Sequence, residues 1–220
     1  MFVKICANTN LEDALLAAEL GADAVGFVFA ESKRRVTPEQ VAPLVRALPG
    51  SVSKVGVFTS TDAEEILQTA TTAGLTDVQL HSAYDPALVL RIESGCGGRL
   101  GILQVVDVPA GADLAALRQN LAAVLRDEHV TAALLDASHG GVSGGTGKTF
   151  DWGQTAQVVR EVQAETEGRV IVAGGLNPDN VGQAIGAFGP WGVDVASGVE
   201  LSPGRKDPAK LRAFLAAARG

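Results

Sequence analysis

The 220-residue chain carries 18 Lys and Arg against 25 Asp and Glu, a formal net charge of −7. That balance excludes a general affinity for nucleic acid or anionic membrane, both of which need a basic face, so an anionic ligand would have to be captured by local geometry. With 46% hydrophobic residues, 20% charged residues and apolar runs too short to cross a bilayer, one compact cytoplasmic domain over residues 1–220 is expected.

Met1 leads almost at once into an apolar segment, so no signal peptide is expected. Strands are expected at Phe2 to Cys6, Ala24 to Phe29, Ser53 to Phe58, Asp77 to Leu80, Leu100 to Val105, Ala132 to Leu135, Arg169 to Val172 and Val193 to Val195, where short β-branched or apolar runs occur. Between and after them, helical spacing of apolar residues predicts helices over Leu11 to Leu20, Pro38 to Leu48, Ala63 to Ala73, Pro86 to Glu93, Asp113 to Leu125, Trp152 to Thr166, Pro178 to Phe188 and Pro208 to Ala218. Asn10, Thr37, Asp62, Asp85, Asp151, Asn177 and Asp207 stand where N-caps belong, and four of the expected helices open on Pro. Eight strands each followed by a helix, in a chain of this length, predict an α/β fold of the (β/α)8 TIM-barrel type. No dinucleotide glycine fingerprint follows the first strand, which argues against an open doubly wound sheet.

In such a barrel the active site lies at the C-terminal ends of the strands, which draws attention to Cys6, Arg34, Gln79, His81, Asp136 and Asp194. Alternation along the first strand turns Lys4 and Cys6 inward. A lysine two positions away favours thiolate and is expected to lower the Cys6 pKa toward neutrality, which would make it a base; the competing role is a small buried hydrophobe. Asp136, at the end of the sixth strand, suits a general acid or a cap for the following loop. Cys6 and Cys96 form neither a disulfide framework nor a zinc-ligand pattern.

The segment GGTGKT at Gly144 to Thr149 lacks the first glycine of a Walker A loop, since Val142 occupies that place; it reads as a lid or a plain connector. After the seventh and eighth strands come Gly174-Gly175 and Ser197-Gly198, in turns where backbone N–H groups can approach an anion, which together point to a phosphate. Arg34, within Lys33 to Arg35, is either a bidentate partner for a ligand carboxylate or a solvated surface charge. His81 and Gln79 read as wall residues.

Taken together, VKIC at 3–6, GADAVGFVF at 21–29, VGVF at 55–58, VQLH at 78–81, LLD at 134–136, GGTGKTFDW at 144–152, AGGLNP at 173–178 and VDVASGVE at 193–200 resemble the phosphoribosylanthranilate isomerase family nearly end to end. The resemblance implies an Amadori rearrangement of a phosphorylated aminosugar without metal or organic cofactor, with Cys6 as general base and Asp136 as general acid. It further implies that Arg34, three residues ahead of Thr37-Pro38, holds the substrate carboxylate, that Gly174, Gly175, Ser197 and Gly198 hold the phosphate, and that Asp194 lines the cleft. A monomer or homodimer is expected, bound to its small phosphorylated substrate and to neither nucleic acid nor membrane. Three positions depart from the family pattern: Ala7 replaces Gly, Asn8 an apolar residue, and Ala196 the first of two serines. The alternatives are another phosphosugar isomerase or epimerase on the same barrel, or a catalytically silent phosphometabolite-binding protein.

Overall fold

The computed structural model describes residues 1–109, 111–136 and 152–220. The Gly144 to Thr149 segment, with its expected lid, and the expected Asp151 cap lie outside the described residues.

Strands and helices alternate as the hydrophobic pattern requires. The order is β1 (Phe2–Ile5), α1 (Leu11–Glu19), β2 (Ala24–Val28), α2 (Pro38–Ala47), β3 (Ser53–Phe58), α3 (Ala63–Ala73), β4 (Asp77–Leu80), α4 (Pro86–Cys96), β5 (Gly101–Asp107), α5 (Leu114–Arg126), β6 (Ala132–Asp136), α6 (Trp152–Thr166), β7 (Val170–Ala173), α7 (Val181–Phe188) and β8 (Gly192–Val195). A 3-10 turn (Ser197–Val199) and a small antiparallel hairpin, β9 (Glu200–Ser202) with β10 (Arg205–Lys206), precede α8 (Pro208–Arg219). The strands β1 to β8 pair in parallel in sequence order, and β8 closes on β1. The expected TIM barrel is therefore the observed fold.

Closure divides the apolar residues into two sets with opposite strand parity. Val3, Ile5, Val25, Phe27, Val78, Leu80, Val193 and Val195 join the core between sheet and helices. The alternate positions Ala24, Val55, Leu103, Val105, Ala132, Leu134, Ile171 and Ala173 form a second cluster that fills the barrel. Phe2 and Trp191 stack with ring centroids 4.4 Å apart at the strand-start end, and the Arg169 guanidinium lies 5.0 Å from the Trp191 ring. Among the remaining inward positions are the polar residues Lys4, Gln79, Asp136 and Asp194, around which the site is built.

Asn10, Thr37, Asp62, Asp85 and Asp207 cap their helices as expected, Thr37 within a full capping box with Gln40. Asn177 does not cap α7. Its Oδ1 accepts from the N–H groups of Asp179 and Asn180, forming a local turn over Pro178 to Asn180, so the helix begins only at Val181.

Candidate active site

Strand parity places Lys4 on the inner face of β1, and Cys6 continues that face just beyond the strand. Both are buried, Lys4 completely. An ammonium in such a place needs a counter-charge, and β1 lies beside β8 with Lys4 opposite Asp194. Lys4 Nζ donates to Asp194 Oδ1 at 2.9 Å. Burial opposes the charge on Lys4, but Asp194 and Cys6 outweigh it and hold its pKa above the ordinary lysine value. Asp194 is also pushed up, first by burial against the pull of Lys4, with the neighbouring Asp136 carboxyl adding to the rise. Asp136, the last residue of β6, shares the inner parity of Ala132 and Leu134.

The Cys6 expectation needs correction. Burial raises its pKa above the ordinary thiol value, Lys4 pulls it down, and Asp194 pushes it up again. Lys4 is in the expected place, but Asp194 already balances its charge, so it does not lower the thiol toward neutrality.

The backbone around Cys6 is closely specified. Cys6 N–H donates to Val195 O at 2.8 Å. Ala7 adopts φ 61°, the left-handed region that favours glycine, so the departure at this position keeps a glycine-like conformation with an alanine side chain. Asn8 holds that bend, its Nδ2 donating to Ile5 O at 2.8 Å and Gly26 O at 3.2 Å. Gly26, on β2, faces the thiol: a Cβ there would lie 2.7 Å from Cys6 Sγ. The sequence marked Asn8 only as a departure beside Cys6, and it did not single out Gly26 as shaping the site.

Arg34 leaves the β2–α2 loop toward the barrel and is half-buried, whereas Arg35 is exposed. Glu200 receives it in a fork: Arg34 Nε donates to Oε1 and Oε2 at 2.9 and 3.0 Å, and Nη2 to Oε2 at 2.6 Å. That hydrogen bonding raises the Arg34 pKa further. Lys206 completes the cluster, with Nζ donating to Cys6 O at 2.5 Å. Glu200 and Lys206 escaped the sequence reading, although the Ser-Pro-Gly turn between them is a hairpin signal.

The two glycine-rich turns meet. Gly174 and Gly175 take φ of 87° and 70°, backbone that side chains rarely adopt, and Asn180 Nδ2 braces the turn by donating to Gly175 O at 3.1 Å. The 3-10 turn at Ser197 begins directly after β8, and Gly198 packs so tightly on the first turn that a Cβ would lie 1.9 Å from Leu176 O. The two turns therefore lie against each other just beyond β7 and β8, the latter being the strand that carries Asp194. His81 and Gln79 continue the inner face of β4; His81 Nε2 lies 3.3 Å from Asp107 Oδ1 at the rim, while Gln79 Oε1 is buried without a partner among the described residues.

The arrangement thus offers a thiol and a carboxyl on one inner surface, with the Arg34 cation and the two glycine-rich turns at the same end of the barrel. Among the described residues, no three His, Cys, Asp or Glu side chains are grouped to hold a metal, and no helix is long and apolar enough to cross a membrane. A family model described as N-(5'phosphoribosyl)anthranilate (PRA) isomerase matches residues 3–217. The chain is 46% identical over 219 residues to the N-(5'-phosphoribosyl)anthranilate isomerase of Citrifermentans bemidjiense, covering 99% of this chain and 96% of that one. It is also similar to the crystal structure of phosphoribosyl anthranilate isomerase from Thermotoga maritima, at 38% identity and a TM-score of 0.84 over 100% and 99% of the two chains. A phosphoribosyl anthranilate isomerase solved with reduced 1-(o-carboxyphenylamino)-1-deoxyribulose 5-phosphate matches at 36% identity, with a TM-score of 0.80 and the same coverage.

Proposed function

The chain belongs to the N-(5'-phosphoribosyl)anthranilate isomerase family, and on that premise we propose that Cys6 is the general base and Asp136 the general acid of its reaction. It is an isomerase of tryptophan biosynthesis, converting N-(5-phosphoribosyl)anthranilate into 1-(2-carboxyphenylamino)-1-deoxyribulose 5-phosphate. What supports the residue assignment is the inward parity of Cys6 and Asp136 at one end of the barrel, both electrostatically coupled to Asp194.

Asp136 protonates the furanose ring oxygen, the C1–O bond breaks, and an iminium forms whose charge acidifies the C2 proton. The Cys6 thiolate removes that proton, and the resulting enolamine tautomerises to the ketone. The Lys4 ammonium pulls toward the thiolate against burial and Asp194, so the form that takes the proton is favoured by a neighbouring positive charge although the resting pKa stays raised. Arg34 grips the anthranilate carboxylate, and Gly174, Gly175, Ser197 and Gly198 take the phosphate. Asp194 lines the cleft between them, and these two remote grips convert binding energy into orientation of the sugar. All of these residues come from one chain, treated as a single catalytic domain over residues 1–220, consistent with a monomer or a homodimer in the cytoplasm working without metal or organic cofactor.

The test is to generate the unstable substrate in place from anthranilate and phosphoribosyl pyrophosphate and to follow loss of its fluorescence. Cys6→Ala and Asp136→Asn should each lower kcat by about two or more orders of magnitude while a product analogue still binds. Loss of binding in step with turnover would make both residues structural instead.

A further inference from the structure

Two buried charges touch the proposed base and the proposed carboxylate clamp at once. Glu200 and Lys206 sit at the two ends of the β9–β10 hairpin, 7% and 3% exposed. Lys206 Nζ donates to Cys6 O at 2.5 Å and to Ala196 O at 3.4 Å, and lies 3.5 Å from Glu200 Oε1. Glu200 accepts Gly204 N–H at 3.2 Å in addition to the Arg34 fork. One short hairpin therefore joins the β1–α1, β2–α2 and β8–α8 loops through three charged side chains.

Stability alone is a poor reason for such a cluster. Removing two charges from water costs several kcal/mol per ion, and apolar side chains of similar volume commonly hold a fold as well or better. What charge supplies is direction. A guanidinium has two forked edges, and Glu200 takes the Nε–Nη2 edge, which fixes the plane in which the Nη1–Nη2 edge meets a ligand carboxylate. Lys206 then holds Glu200 at the same moment as the Cys6 carbonyl, whose neighbour Ala7 is in a left-handed conformation that needs external support.

We propose that Lys206, acting through Glu200, is a positioning residue that holds Cys6 and the Arg34 clamp in one frame, an inference that rests on the roles given to those two residues above. The ligand class it serves is an aromatic carboxylate on the far side of the sugar from the phosphate.

The experiment compares wild type, Glu200→Gln and Lys206→Met using two product analogues, one bearing the ring carboxylate and one lacking it. Wild type should prefer the carboxylated analogue. In both variants that preference should shrink about tenfold or more while the decarboxylated analogue binds as before, and Lys206→Met should also lower kcat by about tenfold. A purely structural role would lower thermal stability yet leave the ratio of the two inhibition constants unchanged in the folded variant, and that outcome overturns the proposal. If Lys206→Met does not fold, Glu200→Gln decides by the same ratio. Wild type without isomerase activity, or without preference for the carboxylate, removes the underlying assignment and this inference with it; a wild-type preference that both variants retain defeats this inference alone.

Discussion

Beside Cys6 the decisive neighbour is a missing side chain. Gly26 presents only hydrogen to the sulfur, and a methyl group there would stand 2.7 Å from Sγ and 3.1 Å from Cys6 Cα, the second of which is backbone and cannot swing away. Gly26→Ala should therefore displace the thiol, cutting kcat by about tenfold or more and costing roughly 1–3 kcal/mol of stability as an overpacked core position. Turnover and denaturant unfolding check it; wild-type kcat in the variant would show that the sulfur need not stay where it is. This constraint was invisible in sequence, because glycine within a β-strand gives no hint of which neighbour crowds it. The inward turn of Cys6 was legible from alternation with Val3 and Ile5. Its raised pKa was not, since the counter-charge to Lys4 is Asp194, 190 positions away.

At the scale of elements, periodicity located all eight barrel strands, with ends within a residue or two of those expected, because each is a short apolar or β-branched run between helical stretches. The misses are local. Helix α7 starts three residues later than Pro178 suggested because the Asn177 side chain closes a turn of its own, and the β9–β10 hairpin is too short and too polar to show periodicity. The two turns proposed for the phosphate stood out in the sequence as Gly174-Gly175 and Ser197-Gly198 after the last two strands, but their mutual contact did not. Gly198 carries that contact, and Gly198→Ala would drive a methyl group to 1.9 Å from the Leu176 carbonyl oxygen, forcing the two turns apart. The expected result is a variant that binds a phosphorylated product analogue about tenfold or more weakly but its dephosphorylated counterpart unchanged. Undiminished discrimination between the two would remove the phosphate from these turns.

Across the whole molecule, a closed barrel forces ionisable groups needed at one end into a shared low-dielectric interior, and folding stability then records their protonation. The Cys6 thiol has a folded pKa above its ordinary value of 9.0, because burial and Asp194 outweigh Lys4. Once pH passes 9.0 the unfolded chain releases that proton while the folded chain keeps it, so the folded state binds more protons and stability falls as pH rises through this window. The slope from one such group is at most about 1.4 kcal/mol per pH unit. Lys4, also raised, adds a loss in the same direction only above 10.5, whereas Lys206, lowered from 10.5 by burial, works in the opposite direction below it. A comparison of wild type with Cys6→Ala between pH 9.0 and 10.5 isolates the sulfur: the variant lacks the thiol's contribution, so the stability difference should move against wild type with each step in pH. Denaturant unfolding across that range measures it. A difference independent of pH would mean that the thiol ionises in the folded barrel as readily as in water, and that Lys4 rather than burial governs the base.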